Sequence, residues 1–245
     1  MRLYALDGPS HYSPTTAGPE PPRGAQVRGK INSVTASLLA ALYAVVLATA
    51  FAAGIRPLPT LQQRRWPWAT TVGLLIIGLP TLAQFTVAPS LLQGLERNWT
   101  LIGQGQVWRL LTSLVVQDGG IAGAIFNLVA LAMIGFAAEK AWGAKRWIVI
   151  AVTGALGAQL WGKVVQPIGG GNSVMVFSLA ASIAVLAVLR GAAVQRILGL
   201  ISLVGAAVVL IIGDIHGAAA AIGAVLGAVF ATSHVLDGAR QSSGP

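Results

Sequence analysis

The chain contains no cysteine, which excludes disulfides, thiolate nucleophiles and thiolate metal sites. Charge is nearly as scarce. Asp, Glu, Lys and Arg make up 9% of the residues, against about 25% in soluble domains, too few to cover a water-facing surface. There are seven acidic residues and three histidines, so few groups are left to carry acid–base chemistry. Hydrophobic residues, by contrast, reach 55% and the mean hydropathy is +0.75. Backbone groups in lipid must be satisfied internally, which helices do within one segment. The composition therefore predicts an all-α polytopic membrane protein.

The net charge of +9 would point to nucleic acid in a soluble chain. Here the basic residues sit in short loops between apolar runs, as the positive-inside rule produces. The implied partner is the lipid bilayer, not nucleic acid. Nothing in the sequence calls for a metal or an organic cofactor.

Spanning a bilayer takes about 20 mainly apolar residues. Seven stretches qualify: 33–54, 68–88, 121–140, 146–165, 173–190, 195–213 and 215–236. Ahead of them, residues 1–31 are rich in Pro, Gly, Ser and Thr and read as a disordered tail. "AFA" at 50–52 resembles a signal cleavage site, but the long region before it is unusual for a signal, and the span is read as retained. The connection 89–120 mixes Trp99, Trp108, Glu96, Arg97 and Arg109 with apolar residues, as segments lying in the membrane interface do. Arg56, Arg64 and Arg65, then Lys140, Lys145 and Arg146, then Arg190 and Arg196 fall on one side, which the positive-inside rule makes cytoplasmic. Arg97, Arg109 and Lys163 fall on the other, with the tail.

In this topology the spans beginning at Ser173 and near His216 enter from the same, outer face. His11 lies in the tail and His234 near the last span's cytoplasmic end, so His216 is the histidine inside the apolar body. Singly, Ser173 reads as a helix cap and His216 as an interfacial residue. Together at one depth they suit nucleophile and general base. Gly223 and Gly227 in "HGAAAAIGAVLG" form a small-residue face of the kind that lets helices approach closely. Phe177 lies one turn after Ser173, where its ring can stack on an imidazole. Three glycines, 169–171, precede the serine and keep its loop tight. Asp214 reads as a helix cap, leaving the pair without a carboxylate. Glu139 with Lys140 or Arg146 reads as a structural polar cluster. A small transporter would show internal repeats, and none is evident.

At these residues the sequence resembles the rhomboid family of intramembrane serine proteases. "GNSV" at 171–174 is similar to the family's Gly-x-Ser-Gly motif, and "HGAAAAIGAVLG" to the span of its catalytic histidine. "VWRLLTS", with Trp108, Arg109 and Thr112, resembles the first-loop Trp-Arg signature. "FNLVALAMIGFAAEKAWGAKRW", with Asn127, Gly135, Glu139, Gly143 and Arg146, resembles the second core span and following turn. Two positions depart: Gly123 stands where the family has histidine, and Val174 where it has glycine.

The resemblance implies a six-helix core over 68–236. An extra transmembrane helix and basic loop at 32–67 would precede it, and a C-terminal tail at 237–245 would follow. It implies a serine endopeptidase of the cell membrane that cuts transmembrane protein substrates near the outer face. Ser173 and His216 would be catalytic, and Asn127 with the Ser173 backbone N–H would hold the oxyanion. Gly171, Phe177, Gly223 and Gly227 would support the site. The alternative it leaves is an inactive relative that binds membrane clients without cleaving them.

Overall fold

The computed structural model describes residues 23–56 and 66–242, with side chains over 34–56 and 66–233. Among the described residues, seven helices are long and apolar enough to cross a membrane: the segments Val34–Gly54, Trp68–Thr86, Gly120–Trp142, Ala144–Val165, Ser173–Arg190, Ala193–Ile211 and Ile215–Ser233. They lie in α1 (Arg23–Gly54), α2 (Trp68–Thr86), α6 (Gly120–Trp142), α7 (Ala144–Val165), α8 (Ser173–Arg190), α9 (Ala193–Ile211) and α10 (Ile215–Ser242). The protein is all-α in its long elements, and the seven expected spans are all present as helices.

Two boundaries differ from expectation. Helix α1 begins at Arg23, so residues 23–31 of the expected tail are helical, while 1–22, with His11, lie outside the described residues. Helix α10 runs to Ser242, taking in most of the expected C-terminal tail. In both cases a strong apolar helix continues into residues of weaker propensity, since extending a helix costs far less than nucleating one. Arg64 and Arg65 also fall outside the described residues.

Chain contacts divide the molecule after Ala40. Up to that point the described structure is the first part of α1. From Ala41 onward the chain forms one body holding the rest of α1 and every other element.

At the centre of that body is α8. Of its most apolar window, 72% is buried, against 22–39% in the other six spans. Its unbroken run from Val174 to Ala184 is buried, including Phe177, Leu179 and Ile183. Helix α10 packs closest. A Cβ on Gly223 would stand 2.0 Å from the Ser178 carbonyl oxygen, and one on Gly227 2.8 Å from Ser182 Cα. The small-residue face expected of α10 is thus turned onto α8, with backbone against backbone.

Between α2 and α6 the chain folds into short pieces, α3 (Leu91–Leu95), β1 (Arg97–Asn98), α4 (Trp99–Gly103), α5 (Arg109–Thr112) and a 3-10 turn, Ser113–Val115. None is long enough to span a bilayer. Buried Arg109 ties them together, donating to the carbonyls of Gln93 (3.1 Å) and Glu96 (2.8 Å) and to Gln106 Oε1 (2.8 Å). Thr112 Oγ1 donates to Leu95 O at 2.9 Å. β1 pairs antiparallel with β2 (Ile168–Gly169), Arg97 opposite Gly169. This pairing docks the loop onto the glycine segment that leads into α8.

Candidate functional site

Ser173 occupies the first position of α8, where its backbone N–H has no partner within the helix. His216 is the second residue of α10. Because Gly223 and Gly227 bring α10 onto α8, the two side chains meet: His216 Nε2 lies 2.8 Å from Ser173 Oγ. Val174, the residue after the serine, is 4% exposed and leaves this contact in place.

Glycine 171 sets the approach to the serine. Its φ of +151° is one that side chains rarely adopt. A Cβ there would sit 3.4 Å from Asn127 Nδ2, 3.4 Å from Gln117 Oε1 and 3.6 Å from Ser173 Oγ. The loop's backbone is held by Gly171 N–H to Ser113 O (2.8 Å) and Gly170 N–H to Asp118 Oδ2 (2.9 Å).

Asn127 is part of a buried amide network as well as a neighbour of the serine loop. Its Nδ2 donates to Gln117 Oε1 at 2.8 Å, and Gln117 Nε2 donates in turn to Asn172 Oδ1 at 2.9 Å. Asn172 Nδ2 donates back to Asn127 O at 3.2 Å, while Gln84 and the Gln117 backbone exchange two bonds of 2.8 Å. One Asn127 N–H is thereby committed; an amide nitrogen carries two. At Gly123 a Cβ would meet nothing within 4 Å.

The imidazole belongs to an aromatic cluster. Phe177 lies 4.8 Å from it at 49°, so the two rings are in tilted contact rather than parallel stacking. Tyr43, on α1, lies 4.7 Å from the imidazole at 56° and meets Phe177 edge-on at 5.1 Å. The expectation that His216 has no carboxylate partner is corrected. Asp214 Oδ1 is 2.6 Å from His216 Nδ1, and also accepts the His216 backbone N–H at 2.8 Å. The cap and the imidazole contact are compatible because the backbone N–H and the ring of one residue converge on one oxygen. Asp214 Oδ2 accepts the Tyr43 hydroxyl at 2.6 Å. Burial pushes the Asp214 carboxyl up, but the hydrogen bond and charge of His216, with the Tyr43 hydroxyl, outweigh it and hold it below its ordinary value.

Beside the pair is a cavity of about 50 Å³ lined by Arg97, Asp118, Gln166, Gly170, Ser173, Val174, Ile215 and His216. Its lining is polar and its size admits a water molecule. Arg97 is 3% exposed, bonded to Gln159 Oε1 and to the Gln166 carbonyl at 2.8 and 3.1 Å. Burial pulls its guanidinium below the usual value and Asp118 partly offsets this.

Sequence reasoning missed Tyr43, Gln117 and the imidazole contact of Asp214. A signal existed for Tyr43 and Gln117, polar groups in an apolar chain that require partners when buried. No protein-family model matches the chain, and no curated protein matches it.

Proposed function

We propose that the chain is an intramembrane serine endopeptidase with a rhomboid-like core over 68–236. It resides in the cell membrane with its site toward the outer side, and cuts transmembrane protein substrates there. The observation that carries the reading is the 2.8 Å contact between His216 Nε2 and Ser173 Oγ. Serine becomes nucleophilic when a base within hydrogen-bond reach removes its proton.

Ser173 Oγ attacks a peptide carbonyl of an unwound substrate segment, and His216 Nε2 takes the hydroxyl proton. The oxyanion is held by the Ser173 backbone N–H and the uncommitted Asn127 N–H, donors of the kind worth about 100- to 1,000-fold each. Collapse breaks the C–N bond, and His216 returns the proton to the leaving amine. An ester to Ser173 remains. Water gives a proton to His216 and adds to the ester carbonyl; the C–Oγ bond breaks, the carboxyl product leaves, and His216 returns the proton to Ser173 Oγ.

A second reading, a rhomboid-like protein that binds membrane clients without cleaving, is favoured by the open space at Gly123, where the family has an oxyanion histidine. Fluorophosphonate labelling of detergent-purified protein separates the two. The protease reading expects labelling of the wild type, lost in Ser173→Ala and reduced by at least about 1,000-fold in His216→Ala. A folded wild type that does not label overturns it and leaves the binding protein.

A further inference from the structure

The extra helix α1 donates a residue to the site. The geometry points to Asp214 and Tyr43 as positioning residues that hold His216 in the tautomer a general base requires. This deepens the serine–histidine reading and rests on it.

An ionised carboxylate only accepts hydrogen bonds. With Asp214 Oδ1 at 2.6 Å, the imidazole proton belongs on Nδ1, which leaves Nε2 with a lone pair facing the Ser173 hydroxyl at 2.8 Å. The opposite tautomer would set Nδ1 and Asp214 lone pair against lone pair. Asp214 in turn is fixed from three directions, by the His216 backbone N–H, by the ring and by the Tyr43 hydroxyl. Arg97 and Asp118 line the same polar cavity as His216. They touch neither Nδ1 nor the Tyr43 hydroxyl by any hydrogen bond among the described residues.

Tyr43 stands where it does because α1 is anchored further along. Ser202 Oγ of α9 donates to Val46 O at 2.9 Å, and Gln195 Nε2 to Ala53 O at 3.2 Å. Close contacts seat the helix: a Cβ on Gly205 would lie 2.7 Å from Val46 Cγ2, and one on Gly54 2.7 Å from Ile183 Cγ2. With α1 held at these points, the phenol reaches Asp214 and its ring meets both His216 and Phe177. An isolated six-helix core would lack this hydroxyl.

The competing account is that Asp214 only caps α10. Asparagine caps as well as aspartate, so capping alone predicts no change in Asp214→Asn. Positioning predicts a fall of at least roughly 100-fold in the fluorophosphonate labelling rate for Asp214→Asn, toward the about 10,000-fold that neutralising a triad carboxylate costs. Tyr43→Phe keeps the ring and removes one hydrogen bond, and should slow labelling about 5-fold. In the Asp214→Asn background it should cost nothing more, because Tyr43 acts through Asp214. Wild-type rates in Asp214→Asn, or an equal loss from Tyr43→Phe in both backgrounds, would overturn the proposal.

A second readout does not depend on reactivity. In protein labelled with ¹⁵N-histidine, His216 should show a far-downfield Nδ1 proton that survives Ser173→Ala and disappears in Asp214→Ala. Absence of that proton from the wild type sinks the arrangement. Its presence in a wild type that does not label supports the positioning and removes only the protease reading.

Discussion

Two carboxylates, buried Glu139 and half-buried Asp214, each receive three hydrogen bonds, and only Asp214 sits beside the serine–histidine contact. Glu139 accepts from the Ala69 N–H (3.0 Å), the Thr70 N–H (2.7 Å) and Thr70 Oγ1 (2.8 Å). All three donors belong to the first turn of α2, so its role is to satisfy a helix start. Asp214 accepts one backbone N–H at the start of α10, but its other contacts are an imidazole and a phenol. The same capping device also holds an imidazole when a titratable ring is within reach. What differs is the neighbourhood, and tertiary packing supplies it.

The largest effect should come from breaking the packing that makes Asp214's neighbourhood. Gly223→Leu forces a side chain into the Ser178 carbonyl and pushes α10 off α8. We expect a stability loss of at least about 3 kcal/mol, with serine labelling abolished even in the fraction that stays folded. Thermal unfolding and labelling in detergent would measure both. Wild-type labelling in folded Gly223→Leu would mean that the α8–α10 contact does not set the site.

Glu139→Gln tests the other carboxylate. Weakening charge-assisted bonds at the α2 start should cost about 2 kcal/mol and leave labelling per folded molecule unchanged. A labelling loss out of proportion to the folded fraction would erase the distinction between the two carboxylates.

The smallest effect is on pH. The Asp214 carboxyl is depressed in the folded protein, so it contributes stability above the unfolded carboxylate value of about 3.9. That contribution is lost as pH falls through the lower folded value. Acid should therefore lower the wild-type Tm more than that of Asp214→Asn. Parallel acid curves for the two proteins would count against a depressed carboxyl.

Much of the architecture was legible because membrane spans are long, local signals. All seven apolar stretches are helices, and the errors fall at the ends of α1 and α10, where each helix runs past the apolar stretch that marks its span. The serine and histidine could be paired in advance because each opens a span on the same side and Gly223 and Gly227 mark a close-packing face. The environment of the imidazole was not legible in the same way. Tyr43 and Asp214 are 171 residues apart, and no periodicity links them. Residues 32–67 read as an addition to the core because nothing local to α1 records which helix it packs against.

The sequence by itself determined that the chain forms apolar helices, roughly where they lie, and that a serine and a histidine open two of them. Those properties follow from composition and spacing, which act over one or a few helical turns. Only the tertiary structure decided that His216 faces Ser173 with one nitrogen and Asp214 with the other, and that Tyr43 of α1 closes the set. Hydrogen bonds and ring contacts of that kind depend on ångström-scale placement of helices from distant parts of the chain, and placement at that scale is fixed only when the helices pack.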